Sequence, residues 1–254
     1  MKIVFYKIDC LTNLHVGSGE VNYNIIDNEV EKDAVNGLPV IHASGVKGAL
    51  RDAFSKVEKY KGQIDDIFGK AGEGDESGSG SHKFLDATLV CRPMRVQGSN
   101  VFASLPVVTL ASVNSLLQKL NGFGANNFGI DKIDDIDFGK NEFLSTCKNI
   151  SIECENTGII TDNAKSQLDK LSSVIGNDYA VVRSFDDYDL PVTARNCVDE
   201  KRRNLWYEEV VPHGSVLYFG VIYPDNAPEL EFPSVVQFGG NASIGCGYTK
   251  ITRL

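Results

Sequence analysis

The segment from residue 37 to residue 60 constrains the fold more than any other part of the sequence. It reads "GLPVIH" followed by "ASGVKGALRDAFSKVEKY". Proline disfavours a helical conformation in the residue before it, so the first part is expected to be extended. In the second part, Val46, Leu50 and Phe54 recur at helical spacing, and Ser44 is the predicted N-cap. The segment therefore predicts a short strand followed directly by a helix with one buried face.

Other segments continue this alternation of strands and helices. Strands are predicted at residues 2–14, at 83–96 with a break at Pro93, and at 101–110, and a helix with one apolar side is predicted at 111–120. The C-terminal part predicts two strands around a "PHG" turn and then a strand, a glycine-rich loop and a closing strand. The order strand, helix, strand, strand, helix, strand predicts an α+β, ferredoxin-like fold of the kind found in RNA-recognition domains.

The chain length favours one domain with elaborations. The 254 residues suit a single domain or two small ones. Residues 69–82 are rich in Gly, Ser and acid and predict a flexible surface loop. Residues 121–200 are the least regular, with a helix predicted at 162–175. We interpret them as an insertion on one domain spanning residues 1–254.

Composition and charge narrow the function classes. No apolar stretch approaches the roughly 20 residues that span a bilayer, and the N-terminus lacks the features of a signal peptide, so a cytoplasmic protein is expected. The six cysteines are scattered without zinc-site spacing and are expected to be reduced. The net charge of −9 argues against nucleic acid, but the cations cluster at Lys47 and Arg51, at Arg92 and Arg95, and at residues 201–203. A basic face on an acidic body is therefore compatible with the sequence.

Two features could bind phosphate. The C-terminal "GGNASIGCG" has four glycines in nine residues, which lets backbone N–H groups approach an anion closely. A tight turn without a ligand is the more common reading of such a loop. Lys47 and Arg51 fall near the start of the predicted helix, where free N–H groups already attract anions. Taken alone, these two cations are more simply read as a solvated face.

Conventional hydrolase motifs are absent from the sequence. There is no GxSxG and no HExxH, and the acidic "DKIDDID" run lacks the spacing of a calcium loop. His15 has two readings, a general base or a packed histidine at a strand end. Alternation along "LWYEE" would place Glu208 and Glu209 on opposite faces, so at least one is expected to be plain surface.

Taken together, these segments resemble the RAMP superfamily. The resemblance rests on "LHVGSG", "NGLPVIHASGVKGALRDAF", "FLDATLVCRPMRV", "ARNCVDEKRRNLWYEEVVP" and "VQFGGNASIGCGYTKI", which cover nearly the whole chain. The third and fourth stretches are similar to the backbone subunits of type III-B (Cmr) CRISPR effector complexes. The type III-A counterparts share the first motif and stay open as an alternative.

This resemblance implies a partner set and an architecture. Several copies would stack along a CRISPR RNA beside other type III-B subunits, with a ferredoxin-like palm and a hairpin thumb near residues 183–206 crossing the guide–target duplex. Complementary target RNA would be cut at regular intervals. The residues implied to contact RNA are Ser44, Lys47, Arg51, Arg92, Arg95, Arg195, Arg202, Gly239, Gly240, Asn241, Ser243 and Gly245.

The resemblance also implies the catalytic residue. Asp27 matches the position of the family's catalytic aspartate, in the loop before the "GLPVI" strand, and the two preceding isoleucines would anchor that loop. One carboxylate can orient a 2′-hydroxyl nucleophile or help to hold a divalent ion, Mg²⁺ or Mn²⁺, whose other ligands would be phosphate oxygens and water. His15, Tyr207 and Glu208 are further candidates near the cut site.

Two other functions remain open from the sequence. A purely structural RNA-binding backbone would need Lys47, Arg51 and the glycine-rich loop but not Asp27. A guide-processing ribonuclease would work without metal and would lean on His15 or His42. Survival of activity in EDTA would favour the last of these.

Overall fold

The structure is a computed structural model that describes residues 1–19, 25–70, 78–98, 101–125, 130, 132–133, 142–147, 149–152, 156–159, 169, 171–172, 175–185, 189–199 and 202–254. The helices are α1 (Ala43–Ser55), α2 (Ile64–Phe68) and α3 (Leu110–Gly122). The strands of the first half are β1 (Lys2–Cys10), β2 (Val40–Ile41), β3 (Gly69–Lys70), β4 (Gly78–Ser79), β5 (Lys83–Phe84), β6 (Ala87–Gly98) and β7 (Val101–Thr109). Those of the second half are β8 (Glu142–Ser145), β9 (Ser151–Ile152), β10 (Asn156–Ile159), β11 (Ala180–Val182), β12 (Val192–Asp199), β13 (Arg202–Glu209), β14 (Val216–Tyr223), β15 (Val236–Gln237) and β16 (Tyr248–Arg253).

The chain divides into two compact units. Unit 1 comprises Met1–Thr88, Leu190–His213 and Leu217–Leu254, and unit 2 comprises Leu89–Asp189 and Gly214–Val216. Most of the region predicted as an insertion therefore lies in unit 2. The helix predicted at 162–175 falls almost entirely outside the described residues, as does the middle of the loop predicted at 69–82, whose ends form the short β3–β4 pair.

Unit 1 is built on a sheet in the order β15-β16-β1-β14, with β5 added beside β14. Strands β1 and β16 run antiparallel, with Ile8 opposite Ile251. Strand β1 alternates as predicted but ends at Cys10, four residues before the predicted end, because the chain then turns toward Val211. A separate antiparallel hairpin, β12–β13, pairs residues 192–199 with 202–209 and overlaps the region near 183–206 where a hairpin was expected.

Helix α1 confirms the predicted apolar stripe, since Val46, Leu50 and Phe54 are all buried. The predicted N-cap was wrong. His42 is the N-cap residue and makes no side-chain cap, and the first N–H, that of Ala43, donates to Asp86 Oδ1 at 2.6 Å. An acid distant in sequence thus supplies the oxygen that Ser44 was expected to supply.

Unit 2 has its own core and a closed ring of strands. The order β6-β7-β11-β8-β10-β9 closes because β9 also pairs with β6, so each strand has two neighbours. Helix α3 follows β7, and its predicted apolar side is buried: Val113, Leu116, Leu117 and Leu120. The predicted break at Pro93 was wrong. Strand β6 is continuous, and Pro93 lies opposite Pro106 of β7, where neither residue needs to donate to the other.

Two further findings concern the helices and the cysteines. Among the described residues, none of the helices combines the length and the apolar character that crossing a membrane requires. Five of the six cysteines fall in the described part of the chain, and none of these five is in a disulfide: Cys10, Cys91, Cys147, Cys197 and Cys246.

Candidate nucleic-acid interface

Four segments of unit 1 meet at one place. Residues 13–17 pair with the segment just after β13, where Leu14 and Val211 exchange two backbone hydrogen bonds of 2.8 Å. Residues 27–31 lie between these two segments, because Glu31 N–H donates to Val16 O and Glu209 N–H donates to Asn28 O. The glycine-rich loop, Gly239–Gly247, joins them through Gly240 N–H, which donates to His15 O at 2.9 Å. Most of the residues predicted near the cut site therefore come together.

Asp27 is exposed, and its conformation is set by β13. Its backbone N–H donates to Tyr207 O at 3.1 Å, and its carboxylate Oδ2 accepts the Tyr207 N–H at 2.8 Å. Among the described residues, the second oxygen, Oδ1, accepts no hydrogen bond. The prediction that two isoleucines anchor this loop was wrong for Ile25, which is 88% exposed. Backbone pairing with Tyr207 holds the loop instead.

Tyr207 acts on Asp27 through its backbone. Its carbonyl accepts from both Asp27 N–H and Asn28 N–H, each at 3.1 Å. The phenol of Tyr207 is half-buried and takes no part in these contacts. The structure thus gives Tyr207 a supporting position beside the candidate carboxylate.

His15 is buried at the centre of the four segments. Its Nδ1 lies 2.7 Å from Glu209 O. A carbonyl oxygen only accepts, so Nδ1 carries the hydrogen, and in the neutral ring Nε2 holds a lone pair. Among the described residues, Nε2 has no hydrogen-bond partner, and it lies close to Gly17, where a Cβ would be 3.1 Å away. This tautomer is the one that a proton acceptor at Nε2 requires.

Glu208 is buried within a cluster of donors from three segments, here called the Glu208 cluster: Glu208, Arg195, Trp206 and Asn241. Trp206 Nε1 donates to Oε1 at 2.9 Å, Asn241 Nδ2 donates to Oε2 at 3.0 Å, and Arg195 Nε forms an ion pair with Oε2. Burial acts to raise the pKa of Glu208, but the hydrogen bonds from Trp206 and Arg195 outweigh it and hold the pKa below its ordinary value. Glu208 is therefore ionised near neutral pH.

Glu209 is also buried, which corrects the prediction that one of the two acids is plain surface. Its side chain points away from that of Glu208, as alternation requires, and accepts from Val30 N–H and Lys32 Nζ, each at 3.0 Å. Each acid is buried because each has its own set of donors. The two pairings fix both faces of β13 beside Asp27.

The glycine-rich loop is packed tightly at both ends and open between them. A Cβ at Gly239 would lie 2.1 Å from His15 O and one at Gly247 would lie 1.9 Å from Phe238 O, whereas one at Gly240 or Gly245 would meet nothing within 4 Å. Asn241 adopts a left-handed conformation with φ 62°, and Ser243 is exposed. The loop is therefore a built turn against His15 with an exposed outer surface that could meet an anion.

The predicted contacts on α1 differ in their surroundings. Ser44 and Lys47 are exposed on the first turns of the helix. Arg51 instead donates to Asp65 Oδ1 at 2.6 Å and to the carbonyl of Gly69. Lys47 presents its charge to solvent, while Arg51 is engaged in holding α1 to the segment around α2.

The other arginines that were predicted to contact RNA differ from one another in exposure. Arg92 is 3% exposed, donates to Asp189 O at 3.1 Å and lies 5.0 Å from the centre of the Phe185 ring. Its guanidinium is not presented at the surface of unit 2, so we do not keep it as an RNA contact. Arg95 is exposed on β6 of the same unit. The side chain of Arg202 lies outside the described part of the structure.

The donor set does not by itself make a metal centre. Within the described ranges, no group of three or more His, Cys, Asp or Glu side chains is placed to hold a metal ion. Asp27 offers one carboxylate, and one of its oxygens already accepts a hydrogen bond. Mg²⁺ takes six oxygen ligands and commonly completes its shell with water and substrate phosphates. An ion bound here would depend on RNA for most of its ligands.

Sequence reasoning missed three residues that organise the site. Asn13 accepts the His213 N–H at 2.9 Å through its side chain and the Gly247 N–H at 2.8 Å through its carbonyl. Trp206, the single tryptophan of the chain, donates to Glu208, and Lys32 pairs with Glu209. The alternation of Trp206 and Glu208 on one face of β13 could have signalled their contact.

An open cleft of about 430 Å³ adjoins the Glu208 cluster in unit 1. Its walls include the exposed apolar side chains of Leu11 and Ile244, and its polar lining includes Arg195 and His213. Arg195 Nη2 lies 3.6 Å from the Sγ of Cys246 at the same wall. The hairpin and the glycine-rich loop thus share a surface that is both apolar and cationic.

Comparison with known proteins identifies the family. The sequence profile of the RAMP superfamily matches residues 7–250. The chain belongs to the RAMP superfamily. Within the wider set of RAMP proteins, the CRISPR system Cmr endoribonuclease Cmr4 of Pyrococcus furiosus is 24% identical over 291 aligned residues, which cover 99% of this chain and 96% of that protein.

Solved structures share the fold of this RAMP protein. A chain in the cryo-EM structure of the type III-B Cmr-beta complex bound to cognate target RNA matches with a TM-score of 0.78 at 20% identity, covering 100% of this chain and 97% of the other. The crystal structure of oligomeric Cmr4 from Pyrococcus furiosus matches with a TM-score of 0.73 at 19% identity, covering 100% and 98%. The fold of the whole chain is thus one seen in type III-B subunits.

Proposed function

We propose that this chain is the backbone subunit of a type III-B CRISPR effector, which binds CRISPR RNA in several copies and cuts complementary target RNA. The observation that carries the proposal is the match to Cmr endoribonuclease Cmr4 over almost the full length of both chains. The exposed carboxylate of Asp27 at the meeting of four segments supports a catalytic role in addition to a structural one. A non-catalytic, RNA-binding backbone is the alternative that the experiment below tests.

The proposed partners are RNA, further copies of the chain and other type III-B subunits, in the cytoplasm. The structure of oligomeric Cmr4 supports stacking of copies, and the Cmr-beta complex bound to target RNA supports the RNA partner. We assign the palm a ferredoxin-like arrangement and give the β12–β13 hairpin the role of the thumb. Ser44, Lys47 and the outer surface of Gly239–Gly245 would contact the guide phosphates, since they are exposed and carry a cation or free backbone N–H groups.

In the proposed reaction, Asp27 orients the 2′-hydroxyl of the target nucleotide. Oδ1 is the oxygen for this role because Oδ2 is held by Tyr207 N–H. His15, with its lone pair at Nε2, is placed in the same group of segments and is the second candidate for handling a proton. The proposal includes a divalent ion, Mg²⁺ or Mn²⁺, which Asp27 would coordinate together with RNA phosphates. Loss of cleavage in EDTA tests whether this ion is required.

The experiment compares the complex assembled with guide RNA, carrying wild-type chain or Asp27→Asn. Asparagine keeps an oxygen that can accept the Tyr207 N–H, so the loop geometry should persist. Asp33→Asn is a matched control, because Asp33 lies in the same part of the chain and its Oδ1 caps a turn by accepting from Val35 N–H and Asn36 N–H. Labelled complementary RNA is incubated with Mg²⁺ or Mn²⁺, and the products are separated on a sequencing gel.

The expected result is an evenly spaced ladder from wild type and from Asp33→Asn, and none from Asp27→Asn at equal target binding. A ladder from Asp27→Asn would move the chemistry to another residue, with His15 tested next. No ladder from any of the three proteins would leave the chain as a scaffold.

A further inference from the structure

Glu208 makes more side-chain contacts across the site than any of the other predicted catalytic residues. It lies on β13 and accepts from Arg195 on β12, from Trp206 on its own strand and from Asn241 in the glycine-rich loop. The Glu208 cluster therefore joins the hairpin to the loop through one buried carboxylate.

The contacts leave Glu208 poorly placed for proton transfer. Oε1 accepts from Trp206 Nε1, and Oε2 accepts from both Arg195 Nε and Asn241 Nδ2. The residue is 6% exposed, so a ribose hydroxyl would have to displace one of these donors to reach it. Its lowered pKa also makes it a weak base near neutral pH, where general bases work best with a pKa close to the working pH.

We propose that Glu208 is a positioning residue, which ties the base of the β12–β13 hairpin to the glycine-rich loop and takes no proton in RNA cleavage. This inference rests on the proposed function, since it assigns a role within that site. The ionised carboxylate is what the role requires, because all three donors point at it and two of them meet at one oxygen.

The tie has consequences at two places. Arg195, held through Nε, directs Nη2 to the cleft wall at Cys246, so Glu208 fixes where the guanidinium can meet an RNA phosphate. Asp27 is held by the backbone of Tyr207, the residue next to Glu208. Loosening this end of β13 would therefore move both an RNA contact and the candidate catalytic carboxylate.

The test uses the full chain and three variants. Glu208→Gln keeps the shape of the side chain but replaces one carboxylate oxygen with an NH₂ group, which would face hydrogen-bond donors of the Glu208 cluster. Asn241→Gly removes the hydrogen bond from the loop to Glu208, and glycine suits the φ of 62° at this position. Glu58→Gln is the control, since Glu58 is exposed and, among the described residues, its carboxylate pairs with Lys61 alone. Hydrogen exchange of residues 192–199 and 239–247 and the emission of Trp206 are measured on each.

We expect Glu208→Gln to raise amide exchange in both the hairpin and the loop by about tenfold or more, since a hydrogen bond to a buried charge is lost, and to shift the Trp206 emission. Asn241→Gly should raise exchange in both segments by less, and Glu58→Gln should change neither. In the assembled complex, Glu208→Gln should weaken RNA binding and slow cleavage while leaving the shape of the pH–rate profile unchanged.

Two results would overturn the inference. Loss of cleavage with unchanged exchange, emission and RNA affinity would make Glu208 a proton-transfer group. Exchange that rises in the hairpin alone would show that the loop is not tied to it. If Glu208→Gln does not fold, the Asn241→Gly result decides between coupled and uncoupled segments. If the wild-type complex cuts no RNA, the proposed function fails, but the exchange and emission data still show whether Glu208 connects the hairpin to the glycine-rich loop.

Discussion

Gly239→Ala is predicted to disturb the contact between the glycine-rich loop and residue 15. Gly239 has φ +73°, and a Cβ there would lie 2.1 Å from His15 O. A carbon rests about 3.3 Å or more from a carbonyl oxygen, so the loop and residue 15 would have to separate by about 1 Å. That shift would break the hydrogen bond from Gly240 N–H to His15 O.

The magnitude follows from two contributions. Alanine in the left-handed region costs about 1–2 kcal/mol, and one lost backbone hydrogen bond with its buried acceptor costs about 1–2 kcal/mol more. We expect Gly239→Ala to lower the free energy of unfolding by about 3 kcal/mol, which a domain of ordinary stability survives. Residues 13–17, which include His15, touch this loop and also pair with the segment that holds Asp27, so RNA cleavage should fall as well.

Two neighbouring glycines provide the controls. Gly245 has φ +86° but open space around its Cβ position, so Gly245→Ala should cost only the conformational part, about 1–2 kcal/mol. Gly240 has open space and no left-handed φ, so Gly240→Ala should be neutral or stabilising by about 0.5 kcal/mol.

The assay is urea unfolding followed by the emission of Trp206, which lies in unit 1 and reports on the unit that holds the loop. The expected order of destabilisation is Gly239→Ala, then Gly245→Ala, then Gly240→Ala. If Gly239→Ala costs no more than Gly245→Ala, the close approach to His15 O does not exist in solution, and the assembly of the four segments would need revision.

Two further predictions concern charge. Arg51→Ala should lower the unfolding free energy by about 1 kcal/mol, because it breaks the contacts to Asp65 and Gly69. Lys47→Ala should leave the unfolding free energy within about 0.5 kcal/mol but should weaken guide RNA binding and reduce the salt dependence of that binding. Thermal melts measure the first effect, and binding titrations at several salt concentrations measure the second. The opposite pattern would exchange their roles. Burial holds the pKa of His82 below its ordinary value, and among the described residues its Nε2 has no partner, so the unfolded chain takes up this proton at higher pH than the folded one. Stability should therefore fall as the pH drops below about 6.5, and His82→Phe should flatten this slope in urea unfolding between about pH 5 and 8. An unchanged slope in the variant would assign the effect to other groups.

The sequence was sufficient where a pattern is local. The spacing of Val46, Leu50 and Phe54 predicted the buried face of α1, because periodicity alone determines which side chains share a face. It failed at the start of the same helix, since the oxygen that receives the first N–H belongs to Asp86. Propensity identifies a residue suited to capping but not a partner brought in by tertiary structure.

The errors at the site have the same origin. At least one of Glu208 and Glu209 was expected to be plain surface, because alternation along the strand was the only information used. Both are buried because their donors come from segments far away in the chain, with Asn241 and Arg195 on one face and Val30 and Lys32 on the other. Pro93 could have been placed correctly, since it lies as far before Gly98 as Pro106 lies after Val101, and Gly98 pairs with Val101.

These contacts also explain how an exposed acid can have a fixed position without a hydrophobic anchor. Ile25 is exposed and Ile26 is only partly buried, so these two side chains contribute little apolar burial. The restraint comes from pairing with β13 at Tyr207 and Glu209, and the two buried acids fix that strand from both faces. Because backbone groups hold the Asp27 carboxylate through Oδ2, Oδ1 is available to a substrate. An amide at this position can accept the same backbone N–H, so the loop should keep its geometry. Asp27→Asn is therefore a test of chemistry at this site and not of folding.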